Sequence, residues 1–113
     1  MKYRVRIQPE ALAELEACYE WLAHRNAASA VKWFNGFAEA LERLAEFPEG
    51  WSIASESVFV AYEVRQLLYG KRQHKYRALF TIVEDTVHVL HIRHAARQYL
   101  NPEDLPREPP DAK

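Results

Sequence analysis

An α+β fold in the order β-α-α-β-β-β, a helical hairpin packed on a small and mainly antiparallel sheet, follows from three observations. Residues 2–7 alternate basic and apolar side chains. Two long stretches between Glu10 and Glu46 carry apolar residues at helical spacing. Three apolar runs, broken at Gly70 and at Glu84-Asp85, fill residues 59–94.

In KYRVRI, Tyr3, Val5 and Ile7 share one side and Lys2, Arg4 and Arg6 the other, the pattern of a half-buried strand. Pro9 suits the first turn of a helix, since its missing N–H is unpaired there anyway. From Glu10 to His24, Leu12, Leu15, Tyr19 and Leu22 recur at helical spacing with Ala11 and Cys18 beside them. Glu10, Glu14, Glu16 and Glu20 are expected to face water. Asn26 is a cap or turn residue. A second helix is expected from Ala28 to Glu46 on Ala30, Trp33, Phe34, Phe37, Ala38, Leu41, Leu44 and Ala45, with Pro48 marking its end. Gly36 within it costs about 1 kcal/mol against alanine, which points to close approach of the two helices.

EGWSIASES is a loop. Strands are expected over Phe59–Tyr69, His74–Val83 and Thr86–His94. The middle one is apolar on both faces, as a central strand is. Residues 1–100 form one domain. Residues 101–113 hold four of the six prolines and few apolar side chains, so this tail is expected to be loose or to lie on the surface.

At 113 residues, 49% of them hydrophobic and 27% charged, the chain has an ordinary globular composition. Nothing resembles a membrane span, and the N-terminus lacks the apolar core of an export signal, so the expected location is cytoplasmic. Cys18 is the only cysteine, which excludes an intrachain disulfide and a cysteine-rich zinc site. Three glycines leave no phosphate-cradling loop, and no G-x-S-x-G elbow is present. No cofactor is implied. On one strand, His88 and His94 share a face some 20 Å apart while His91 points to the other, so the three do not make one metal site.

The net charge of −1 is unevenly spread. Residues 1–59 carry six Lys/Arg against nine Asp/Glu, residues 60–100 seven against three, and the tail two against four. Strands commonly carry cations to discourage edge pairing. The same block also holds Arg65, Arg77 and Arg97 on segments expected to neighbour one another in the sheet, interleaved with Tyr62, Tyr69, Tyr76 and Tyr99. Guanidinium groups hold phosphates or carboxylates in bidentate fashion, and clustered arginines stabilise charge on a cleaving phosphodiester. His91 or His94 would move protons near neutral pH.

The stretches YRVRIQPEALAELEACYEWLA and EVRQLLYGKRQHKYRALFTIVEDTVHVLHIRHAARQYL resemble the RelE/ParE toxin family of type II toxin–antitoxin systems, often labelled plasmid stabilisation proteins. The resemblance runs from Tyr3 to Leu100 and is most specific in KYRALFTI and VHVLHIRHAAR. It implies a growth-inhibiting toxin neutralised by a cognate antitoxin protein. In the RelE branch the toxin is a ribosome-dependent mRNA endoribonuclease, and Arg65, Arg77 and Arg97, with His91 or His94, would be its catalytic groups. In the ParE branch it poisons DNA gyrase and is not a nuclease. A lysine of the nuclease pattern is Glu63 here, and the late tyrosine is matched only by nearby Tyr99. With the two long helices and the chain's ending, this leans the resemblance to the ParE branch. A non-toxic member that keeps only antitoxin binding is the remaining alternative.

Overall fold

The computed structural model describes residues 2–71, 75–95 and 99–111. The observed order is β1 (Arg4–Ile7), α1 (Pro9–Arg25), α2 (Ala27–Glu42), β2 (Arg65–Tyr69), β3 (Tyr76–Val83) and β4 (Thr86–His94). Pro9 opens α1, and the Asn26 side chain accepts the Ser29 backbone N–H at 3.0 Å, capping α2. The second helix ends at Glu42, four residues short of the expected boundary, and tightens into a 3-10 turn over Arg43–Ala45.

The sheet runs β1-β4-β3-β2. The hairpins β2–β3 and β3–β4 are antiparallel, but β1 lies parallel to β4, pairing Arg4 with Thr86 through Ile7 with Val89. The sheet is therefore mixed, and both helices and the β2–β3 hairpin lie along the chain between its parallel pair. The segment from Phe59 to Val64, expected as strand, is not one. A 3-10 turn spans Ser55–Phe59, and the chain beyond it is held by the Ser57 hydroxyl, which accepts the Val64 N–H at 2.9 Å.

One face of the sheet packs on the helices. Ala11 and Leu15 of α1, Phe37 and Leu41 of α2, and Leu67, Tyr76, Ala78, Phe80, Val87, Val89 and Ile92 of the strands form this core. Leu12 lies one residue off the Ala11–Leu15 line and is 42% exposed, so it is not core as its spacing suggested. Gly36 does admit a close neighbour, but from β2 rather than α1: a Cβ there would lie 2.1 Å from the Tyr69 hydroxyl. Tyr69 in turn stacks on Phe37 at 4.8 Å.

The opposite face carries a second, smaller core in which Leu79 and Leu90 of the sheet meet Ala54, Val64, Leu100 and Leu105. The tail thus lies on the sheet with Leu105 only 5% exposed. The Tyr62 hydroxyl donates to the Pro106 carbonyl at 2.6 Å.

A β-bulge sits in β4. Phe80 pairs with Val89 and Leu79 with His91, which leaves Leu90 as the extra residue. The bulge reverses the phase of the strand, so His94 shares the helix face with Tyr76, 5.3 Å between ring centres, while His88 lies on the other. The expected common face of His88 and His94 is lost for that reason. Among the described residues no helix is long and apolar enough to cross a membrane.

Candidate functional site

Arg77 is the second residue of β3, on the face away from the helices. Its side chain is bound on three sides. Nη1 and Nη2 donate to the two Glu56 carboxylate oxygens at 2.8 and 2.5 Å, and Nε donates to Gln66 Oε1 at 2.9 Å. The Tyr99 ring closes over the guanidinium, 4.7 Å from its centre. Arg77 is 3% exposed and Glu56 2%.

Glu56 also accepts the Leu100 backbone N–H at 3.1 Å. Burial pushes its carboxyl up, but the Arg77 guanidinium and the backbone donors outweigh this and hold it down at about 2. One buried carboxylate therefore joins β3, the 3-10 turn before β2 and the start of the tail.

Arg65 faces the other way. It pairs across the ladder with Phe80, three residues along β3 from Arg77, so the two arginines project from opposite faces. Arg65 binds the carbonyls of Trp51 and Glu49 at 2.6 and 3.2 Å and the Glu63 carboxylate at 3.1 Å. It clamps the loop before β2. The expected arginine cluster is therefore not formed by Arg65 and Arg77. Arg97 lies outside the described residues, as do Arg72 and His74 of the β2–β3 connection.

His91 is also enclosed. Nδ1 faces the Glu14 carboxylate at 3.0 and 3.2 Å, and Nε2 faces the Asp104 carbonyl at 2.8 Å. Glu14 does not face water, as its place on α1 suggested. It accepts from Arg93 and, at 2.8 Å, from the Ile92 backbone N–H. It covers the edge of β4 just past the end of β1. Burial raises the Glu14 carboxyl, but the His91, Arg93 and Ile92 donors more than offset it, and the net shift is downward. His88 is buried, with Nδ1 accepting from the Gln8 side-chain amide at 3.0 Å. Burial, and then Arg6, lower its pKa.

Among the described residues, the Arg77 guanidinium is committed to Glu56 and Gln66 and closed off from solvent. Glu56, Gln66 and Glu14 each hold polar groups brought to them by the fold, a role their places in the sequence do not announce. Glu56 lies in a run that reads as a plain loop, and Glu14 has the spacing of a solvated helix face.

A second feature lies on the helical hairpin. A groove of about 370 Å³ is lined by Glu16 and Tyr19 of α1 and by Val31, Phe34 and Asn35 of α2. Val31 in it is exposed.

The family profile described as "ParE toxin of type II toxin-antitoxin system, parDE" matches residues 5–99. The chain belongs to the ParE toxin family. A solved structure titled "Chromosomal ParDE TA system from P. aeruginosa" superposes on this ParE-family chain with a TM-score of 0.65. The match covers 82% of this chain and 96% of that one at 17% identity, a likeness of fold. No curated protein matches the sequence significantly. The matched range takes in both helices, β2, β3, β4 and most of β1, so the groove and the Arg77–Glu56 pair lie within it.

Proposed function

We propose that this ParE-family toxin acts by binding DNA gyrase, without cleaving RNA, and that a cognate antitoxin neutralises it. The observation that carries the non-nuclease reading is the state of Arg77. An arginine that stabilises a cleaving phosphate must aim free N–H groups at the place where charge develops. Arg77 instead holds Glu56 in a bidentate pair and Gln66 through Nε, beneath Tyr99. Freeing it would leave a carboxylate and a guanidinium unpaired in the interior.

The groove on the helical hairpin supports the antitoxin. It is concave and partly apolar, and it suits a flexible segment that folds on binding and sets apolar side chains against Val31 and Phe34.

Two assays test the reading together. Purified toxin should abolish supercoiling of relaxed plasmid by gyrase while translated messages remain intact by primer extension. Unaffected gyrase at saturating toxin with cleaved message would reverse the proposal. Val31→Asp, on an exposed position, should weaken antitoxin binding at least tenfold in calorimetry while leaving the thermal midpoint within a few degrees. Unchanged affinity would remove the groove from the antitoxin interface.

A further inference from the structure

We propose that His91 is a protonation-controlled latch that holds the 99–111 tail on the sheet, closed when the imidazole is charged and released when it is neutral. A neutral imidazole donates from one nitrogen and accepts at the other. Here both nitrogens face groups that only accept. Nδ1 faces the Glu14 carboxylate, and Nε2 faces the Asp104 backbone carbonyl at 2.8 Å. Glu14 is ionised, because it also accepts from Arg93 and the Ile92 N–H. Both ring nitrogens must therefore carry hydrogen, and the observed geometry is that of the imidazolium.

Loss of one proton does not affect the two bonds equally. The Nδ1–H bond is to a carboxylate and the Nε2–H bond to a neutral carbonyl, so the proton leaves from Nε2. A lone pair then faces the Asp104 carbonyl oxygen. The helix contact survives and the tail contact becomes repulsive. Asp104 adjoins Leu105, whose side chain fills the second core, so the disturbance reaches the apolar contact that seats the tail.

The charged surroundings set the range. Glu14 and Glu10 face this region from α1, Arg93 from β4, and Glu103 and Asp104 from the tail. Burial and Arg93 work against the charge, but Glu14 and the Asp104 carbonyl prevail, and the pKa is raised above its ordinary value near 6.5. For a group with a raised folded pKa, the stabilisation is complete below the unfolded value and disappears as pH rises through the folded one. The latch therefore opens as pH rises through the His91 pKa, above the ordinary imidazole value.

The test is amide exchange of the full chain, expressed as protection factors so that the intrinsic pH dependence is removed, alongside NMR titration of the His91 ring. Between pH 6 and pH 9 the Leu100, Asp104 and Leu105 amides should lose about tenfold or more in protection, the scale of a hydrogen bond to a charged group. The midpoint should coincide with that of the His91 ring. In His91→Gln, which cannot titrate, tail protection should be independent of pH. Should that variant fail to fold, the coincidence of midpoints in the wild-type chain decides the matter. Tail protection that stays constant while the His91 ring titrates, a ring already neutral at pH 6, or a pH dependence retained in His91→Gln would each overturn the latch.

Discussion

The Glu56 carboxylate meets the Arg77 guanidinium edge to edge, oxygen to nitrogen at 2.5 and 2.8 Å, with both side chains almost sealed from solvent. This pair ties together three parts of the chain. The carboxylate comes from the turn before β2, the guanidinium from β3, and the third bond from the Leu100 N–H at the start of the tail.

Breaking the pair from one side leaves a buried charge without a partner. Glu56→Ala or Arg77→Ala should therefore lower stability by about 3–5 kcal/mol in urea titrations. The double variant Glu56→Leu/Arg77→Met should recover most of that loss, since neither charge remains. Single variants within about 1 kcal/mol of wild type would show that the pair is more hydrated than its burial indicates.

Acid should weaken the fold through the same carboxylate. Its pKa falls from 4.5 to about 2 on folding, so its contribution is complete above 4.5 and is lost as pH drops towards 2. At about 1.4 kcal/mol per unit this amounts to about 3 kcal/mol between pH 7 and pH 2. Glu56→Gln should be less stable at pH 7 but lose less on acidification. Parallel pH curves for the two proteins would place the acid sensitivity elsewhere.

Gly36 should resist the substitution that helix propensity favours. Alanine gains about 1 kcal/mol in a helix interior. Here its Cβ would meet the Tyr69 hydroxyl, on a ring already stacked against Phe37. Overpacking of this kind costs about 1–3 kcal/mol, so Gly36→Ala should be net destabilising. Adding Tyr69→Phe should restore part of the loss, because the ring carbon below the hydroxyl remains 3.1 Å away. A thermal midpoint that rises with Gly36→Ala alone would contradict the packing.

The tail should contribute to stability through Leu105. Leu105→Ala removes a side chain buried with Leu79, Leu90 and Leu100 and should cost about 2–3 kcal/mol in denaturant. A change below about 0.5 kcal/mol would mean that the tail contributes little.

The helices and the strand order were legible because their periodicities are local. Ala11, Leu15 and Cys18 mark one side of α1, and Tyr3, Val5 and Ile7 one side of β1, whatever they pack against. Long-range relations left no such mark. Nothing in KYRVRI says that it pairs parallel with a strand some 80 residues later. A single bulged residue, Leu90, reverses the face of every side chain beyond it, which period-two counting cannot anticipate. The roles of Glu14 and Glu56 depend on the donors brought to them by the fold. Arg77 was named in the sequence as a candidate catalytic arginine, and its Glu56 partner, 21 residues away, was not visible there.

With Arg77 committed to Glu56, the proposed activity of this ParE-family toxin is gyrase binding rather than RNA cleavage. The most direct measurement is gyrase supercoiling of relaxed plasmid titrated with the purified chain, with and without antitoxin. Supercoiling should fail as toxin is added and return when antitoxin is supplied. Full supercoiling at saturating, correctly folded toxin would contradict it.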